Sequence, residues 1–154
     1  MRLITKVTLL ILTLCSSGLQ ATEEIEKVSD FFNKYMKLAN SYDLSVLSLY
    51  ADDAKIHTLR TYPHGIQRNL EMTGKQWKQL VSKTIDLAKS QNDRSTMSNV
   101  KISKQGTGFK IKADRYSHKK CYTDKDYYLV IEPDLNGSYV IIEEFTATQP
   151  NSNC

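Results

Sequence analysis

The chain predicts an α+β fold, and three observations carry that prediction. Apolar residues recur at spacings of three and four through Ile25–Tyr42 and again through Trp77–Ala88, as helices require. From Ser95 onward the period changes to two, as in half-buried strands. Turn residues then divide that second half into hairpins, at Gln105-Gly106-Thr107-Gly108 and at Pro133-Asp134-Leu135-Asn136-Gly137. The expected arrangement is a curved antiparallel sheet folded around helices that precede it.

In chain order, residues 1–21 have the composition of an export leader. Arg2 and Lys6 flank the apolar run Val7 to Leu14, and Leu19-Gln20-Ala21 ends on a small residue suited to signal-peptide cleavage. The run is shorter than the roughly 20 apolar residues that span a bilayer. Cys15 raises lipidation as an alternative, but Leu14 is a bulky residue to precede a lipidated cysteine. The expected mature protein is then one domain, residues 22–154, in the periplasm or secreted, with a tail from about residue 148. Without Arg2 and Lys6 the formal charge of +4 falls to +2, so charge gives no argument for a nucleic-acid partner.

The first helix presents Ile25, Val28, Phe32, Tyr35, Ala39 and Tyr42 on one face, with Lys27, Asp30, Lys34 and Lys37 largely off it. Ser41-Tyr42-Asp43 breaks it, and Asp43 is suited to cap a second helix, Leu44–Tyr50, that closes at Ala51-Asp52-Asp53-Ala54. Ile56-His57-Thr58-Leu59 follows as a strand within Lys55–Leu59. The stretch Arg60 to Met72, broken by Tyr62-Pro63-His64-Gly65, reads as a loop. Thr73-Gly74-Lys75-Gln76 is a capping box for a third helix burying Trp77, Leu80, Val81, Thr84 and Ala88. Strands are then expected around Val100–Ile102, Phe109–Ala113, Tyr127–Glu132 and Ser138–Thr146.

The expected mature chain keeps two cysteines, Cys121 and Cys154, and in an oxidising compartment two cysteines pair. A disulfide between them would hold the C-terminal tail against the start of a strand. His57, His64 and His118 show none of the close spacings a zinc site requires, and no phosphate-binding loop or nucleophile elbow is present. No metal or other cofactor is expected.

With these elements in place, the segment from Asp43-Leu44 to Tyr50-Ala51-Asp52-Asp53-Ala54, with the strand, Pro/Gly loop and Thr-Gly helix start that follow, resembles the nuclear transport factor 2-like superfamily. That group includes ketosteroid isomerase-like and polyketide cyclase-like (SnoaL-like) proteins, and the resemblance covers about residues 25–147. It implies a cone, in which a bent sheet wraps three helices and leaves a pocket at the open end. Against the ketosteroid isomerase pattern, Tyr35 stands at the tyrosine position of the first helix, but Thr58 stands at the carboxylate base and Ile131 at the protonated aspartate. With one of three groups matched, that proton shuttle is not expected here.

Candidate site residues follow from both lines. Tyr35, Tyr50, His57 and Trp77 are candidates for the pocket wall, with Tyr35 equally readable as a core aromatic on a helical stripe. His57 is a candidate acid or base, since free imidazole titrates near pH 6.5. It neighbours Thr58, and adjacent strand residues face opposite ways, so only one of the two can enter the pocket. Glu143 is a second candidate acid or base; alternation leaves open whether it or Glu144 turns inward. The expected function is exported binding of a small, partly apolar molecule. The alternatives are an isomerase, cyclase or dehydratase using His57 or Glu143, and a module that binds a second copy or another exported protein.

Overall fold

The computed structural model describes residues 16–150 and Cys154. Most of the expected leader, including Cys15, and tail residues 151–153 lie outside the described residues.

Helix α1 (Ser16–Asn40) turns its apolar stripe inward, burying Val28, Phe31, Phe32 and Tyr35. It ends where Tyr42 takes a left-handed backbone, φ +58°. Asp43 then caps the next turn, its carboxylate accepting from the Ser45 amide at 2.8 Å. The second helix is only a 3-10 segment, Leu44–Leu49, and strand β1 (Tyr50–Thr61) starts immediately after it. Ala51-Asp52-Asp53-Ala54 therefore belongs to a strand, where helix closure was expected. Burial explains the difference: Tyr50, Ala54 and Ile56 pack into the common core from β1.

The segment expected as a loop contains β2 (Gln67–Thr73), paired antiparallel with β1. Every β2 residue except Met72 is exposed, and its alternation of polarity is confined to Leu70 and Met72, a short signal for this edge strand. Only the Pro-Gly turn remains irregular; there the Tyr62 amide donates to the Ile66 carbonyl at 2.8 Å and Gly65 supplies φ +77°. Helix α2 (Gly74–Ser90) opens on the expected capping box, with the Gln76 amide donating to Thr73 Oγ1 at 3.2 Å and the Thr73 amide to Gln76 Oε1 at 2.9 Å. A side chain at Gly74 would overlap the Ala51 carbonyl, so this glycine lets the helix start pack directly on β1.

Strands β3 (Ser95–Gln105), β4 (Gly108–Ser117), β5 (Tyr122–Asp124), β6 (Tyr128–Pro133) and β7 (Tyr139–Thr148) complete the sheet. Its order is β2-β1-β7-β6-β4-β3, with the three-residue β5 paired to β4. Among the described residues the sheet is mixed and open, because β1 and β7 run parallel while the other pairs are antiparallel. The expected all-antiparallel sheet is corrected at this one pair. Periodicity reports which face a residue takes, not the direction of its neighbour. Register shifts at Tyr50/Lys55, Ser98/Lys101 and Val130/Ile131 add the local bends that curve a sheet around a helix. The core lies in that curve, with Ile56, Phe109, Ile111, Leu129, Ile131 and Ile141 facing α1 and the 3-10 segment.

Cys121 and Cys154 form the expected disulfide, with Cα atoms 5.5 Å apart.

Candidate functional site

The inner face of the sheet carries one carboxyl group on its central strands, and it organises the site. Glu144 on β7 is 4% exposed. Tyr50 donates to its Oε2 at 2.6 Å and Tyr35 to its Oε1 at 3.1 Å. Tyr127 donates in turn to the Tyr35 hydroxyl at 3.4 Å. Two phenols, from α1 and β1, thus converge on one glutamate, and a third, from the residue just before β6, extends the chain through Tyr35. Burial pushes the Glu144 carboxyl above the usual glutamate range; the phenol hydrogen bonds and the Arg115 charge oppose this without cancelling it. Tyr35, Tyr50 and Tyr127 are all raised, first by burial and then by charge repulsion among these groups, so they remain neutral donors.

Glu144 lines a cavity of about 390 Å³. Tyr35, Thr58, Arg115, Tyr127 and Thr146 supply its polar wall, and Met36, Met72, Trp77, Leu80 and Met97 its apolar one. This volume lies in the range of small-molecule sites, which pair an apolar lining with a few placed polar groups. A second cavity of about 260 Å³ shares Tyr35, Ala39, Trp77 and Asp93 with the first.

Beside Glu144, the Arg115 guanidinium donates to Ser95 Oγ at 3.3 Å and to the Tyr122 hydroxyl at 3.1 Å, with its Nε 3.7 Å from Asp124. Desolvation lowers the Arg115 pKa, but Tyr122, Asp124, Tyr127 and Glu144 together outweigh it and leave the group firmly cationic. Asp124 is itself fixed, accepting from the Ala147 amide at 2.7 Å and the Asp126 amide at 2.9 Å; burial raises its pKa.

The structure brings together Tyr35, Tyr50 and Trp77, and leaves out His57 and Glu143. His57 faces the outer side of β1, its Nδ1 3.6 Å from Glu71, beside Phe145. Thr58 takes the inner position and meets Thr146 at 3.1 Å between hydroxyl oxygens. Glu143 is likewise on the outer face and accepts from Tyr128 at 2.5 Å, an interaction that, after burial, helps push the Tyr128 phenol up to about 12. The cavity carboxyl is Glu144. His64 is exposed in the Pro-Gly turn.

A bulge explains why alternation could not choose between the two glutamates. Glu143 pairs with Val130 and Ile141 with Ile131, which leaves Ile142 as an extra residue. Ile141 and Glu144 therefore both face inward although they are three apart. Arg115 was concealed differently: it precedes the basic run His118-Lys119-Lys120, yet its side chain is only 16% exposed. Among the described residues no cluster of histidine, cysteine, aspartate or glutamate is arranged to hold a metal ion.

Solved structures match this fold across most of the chain. One is a nuclear transport factor 2-like protein with a cystatin-like fold from Novosphingobium aromaticivorans, at TM-score 0.63, 13% identity and 89% coverage of each chain. A nuclear transport factor 2-like protein of unknown function from Pseudomonas putida matches at TM-score 0.61 and 10% identity, over 82% of this chain and 87% of that one. The beta subunit of a putative aromatic-ring-hydroxylating dioxygenase from Novosphingobium aromaticivorans matches at TM-score 0.55 and 11% identity, over 88% and 95%. No protein-family profile matches the chain, and no curated protein does. The protein has the nuclear transport factor 2-like fold. At these identities the likeness defines the fold alone, a framework used for both ligand binding and catalysis.

Proposed function

We propose that this protein is an exported binding domain that holds a small, partly apolar molecule in the cavity beside Glu144. The observation that carries the reading is the convergence of Tyr35 and Tyr50 on a buried carboxyl at the wall of a cavity whose apolar side is formed by Met36, Met72, Met97 and Trp77. The phenol protons are all directed along the chain that ends on Glu144. A proton on Glu144 is then a donor beyond what the tyrosines use, directed to a ligand oxygen. The composition of residues 1–21 supports export.

Native mass spectrometry on protein purified without detergent tests the reading. A bound molecule released on unfolding, and lost in Glu144→Leu, is the expected result. A folded wild type that carries no ligand and shows no thermal shift with any member of an oxygen-bearing apolar library would refute it.

One observation favours a second reading. A carboxyl whose pKa is raised by burial, in a cavity, is suited to proton transfer, so an isomerase- or dehydratase-type reaction would use Glu144 rather than His57 or Glu143. Under that reading Glu144→Gln binds substrate and loses turnover.

A further inference from the structure

The second amphipathic helix does not bury its apolar stripe. Gly74 is the only buried residue of α2, Leu80 is 43% exposed, and Trp77, Val81, Ile85 and Ala88 are half-buried. Its N-terminal end is fixed by the capping box, by Gly74 against β1 and by an ion pair of 2.7 Å between Lys78 and Asp52. Beyond that anchor, Trp77 approaches Tyr50, with ring centroids 6.5 Å apart, and the following turns face the 3-10 segment across a cavity. Both cavities lie beneath it, the first lined by Trp77 and Leu80, the second by Trp77, Val81, Ile85 and Ala88. Val46 and Leu47 of the 3-10 segment form the opposite wall of the second. A helix that retains this stripe without burying it has an apolar surface suited to an occupant.

We propose that one elongated ligand fills both cavities, with a neutral carbonyl head beside Glu144 and an unbranched hydrocarbon tail running past Trp77 beneath the C-terminal half of α2. This deepens the binding reading above and rests on it. The two spaces share Tyr35, Ala39, Trp77 and Asp93, so they are neighbouring chambers with these side chains between them. The chamber beside Glu144 holds the larger set of polar groups, while Val46, Leu47, Val81, Ile85 and Ala88 give the other its aliphatic wall, with Asp93 at the boundary of both, and this sets the orientation of head and tail. Charge selects a neutral head. Arg115, the cation lining the first chamber, already faces Asp124, and Asp93 and Glu144 line the same space. A carboxylate head would therefore have no cation in this chamber free of a carboxylate partner, whereas a neutral carbonyl accepts from the Glu144 proton without one.

Trp77 is the only tryptophan in the chain, so its fluorescence reads the junction of the two chambers directly. The probes are straight-chain 2-alkanones of six to fourteen carbons (roughly, a series whose affinity rises about fourfold per buried methylene) and carboxylic acids of matched length. The expected result is a rise in affinity with chain length to a plateau, with ketones binding more tightly than matched carboxylates at neutral pH. Ala88→Leu, which fills the second chamber, should bring the plateau to shorter chains; Thr84→Leu serves if the first variant fails to fold. An unchanged plateau in a folded variant overturns the two-chamber ligand and leaves binding in the first cavity intact. Tighter binding of the carboxylates overturns the neutral head. If no ketone of any length alters Trp77 emission, the elongated neutral ligand is overturned, and a molecule still found by native mass spectrometry would leave the binding reading standing without it.

Discussion

Helices α1 and α2 have the same kind of sequence pattern and opposite fates. In α1 the middle of the stripe is sealed: Val28 is fully buried, and Phe31, Phe32 and Tyr35 are each 9% exposed or less. In α2 the comparable stripe of Trp77, Leu80, Val81 and Ala88 leaves no side chain buried. The difference comes from what each helix faces. The curved sheet closes on α1, whereas α2 is fastened at Gly74 and stands over the two cavities. An apolar stripe thus predicts a face turned from water, and that face can be answered by core or by a cavity.

The largest effect that tests this contrast is truncation on α1. Phe32→Ala should cost about 3–5 kcal/mol, the usual range for deleting a buried phenyl ring. Leu80→Ala on α2, 43% exposed, should cost less than about 1 kcal/mol. Urea unfolding of both variants checks the pair, and equal losses would mean that α2 is as much a core element as α1.

Glu144 joins the two regions, since its partners come from α1 and β1 while its surface lines the cavity. Glu144→Leu leaves Tyr35 and Tyr50 without their acceptor, at about 1–3 kcal/mol for each buried donor left unpaired. Glu144→Gln keeps an acceptor and separates charge from hydrogen bonding. The folded-state pKa of Glu144 is raised above the free value of 4.5. Its contribution to stability is therefore fully present below about pH 4.5 and is lost as pH rises through the folded-state value. Wild-type stability should fall with rising pH over that window relative to Glu144→Gln, as denaturant midpoints across the range would show. A difference between the two that stays constant with pH would mean that the Glu144 pKa is not shifted by folding.

Legibility in the sequence followed the same physics. Elements with a strong period and a marked end were readable: the α1 stripe, the Thr73–Gln76 capping box and the hairpins at Gly106 and Gly137. Strand β2 was not, because its apolar alternation is confined to Leu70 and Met72, next to a Pro-Gly turn. Parallel pairing of β1 with β7 was not, because direction is a tertiary property. At the site, Tyr35, Tyr50 and Trp77 were readable as large aromatics on inward positions, and the disulfide from the two cysteines of a chain whose first residues have the composition of an export leader. The inward glutamate was hidden by one extra residue, Ile142, which no local pattern announces. His57 lost its place to Thr58 by the same period-two rule that made the two exclusive.

The smallest predicted effect is a gain. Tyr42 lies where α1 ends, with φ +58°, and lines the chamber under α2. Its hydroxyl oxygen is buried with no hydrogen-bond partner among the described residues. A buried donor left unpaired costs free energy that an apolar ring of the same shape does not. Tyr42→Phe keeps the ring and leaves the left-handed backbone as it is, so it should stabilise the folded protein by up to about 1 kcal/mol. Thermal unfolding without ligand measures this. A loss of stability instead would show that water reaches the hydroxyl, which would make this chamber wetter than a hydrocarbon tail requires. Stabilisation would fit a chamber that is dry around the unpaired Tyr42 hydroxyl, and would extend the comparison to its end: α1 closes the core with its middle turns and borders the cavity with its last.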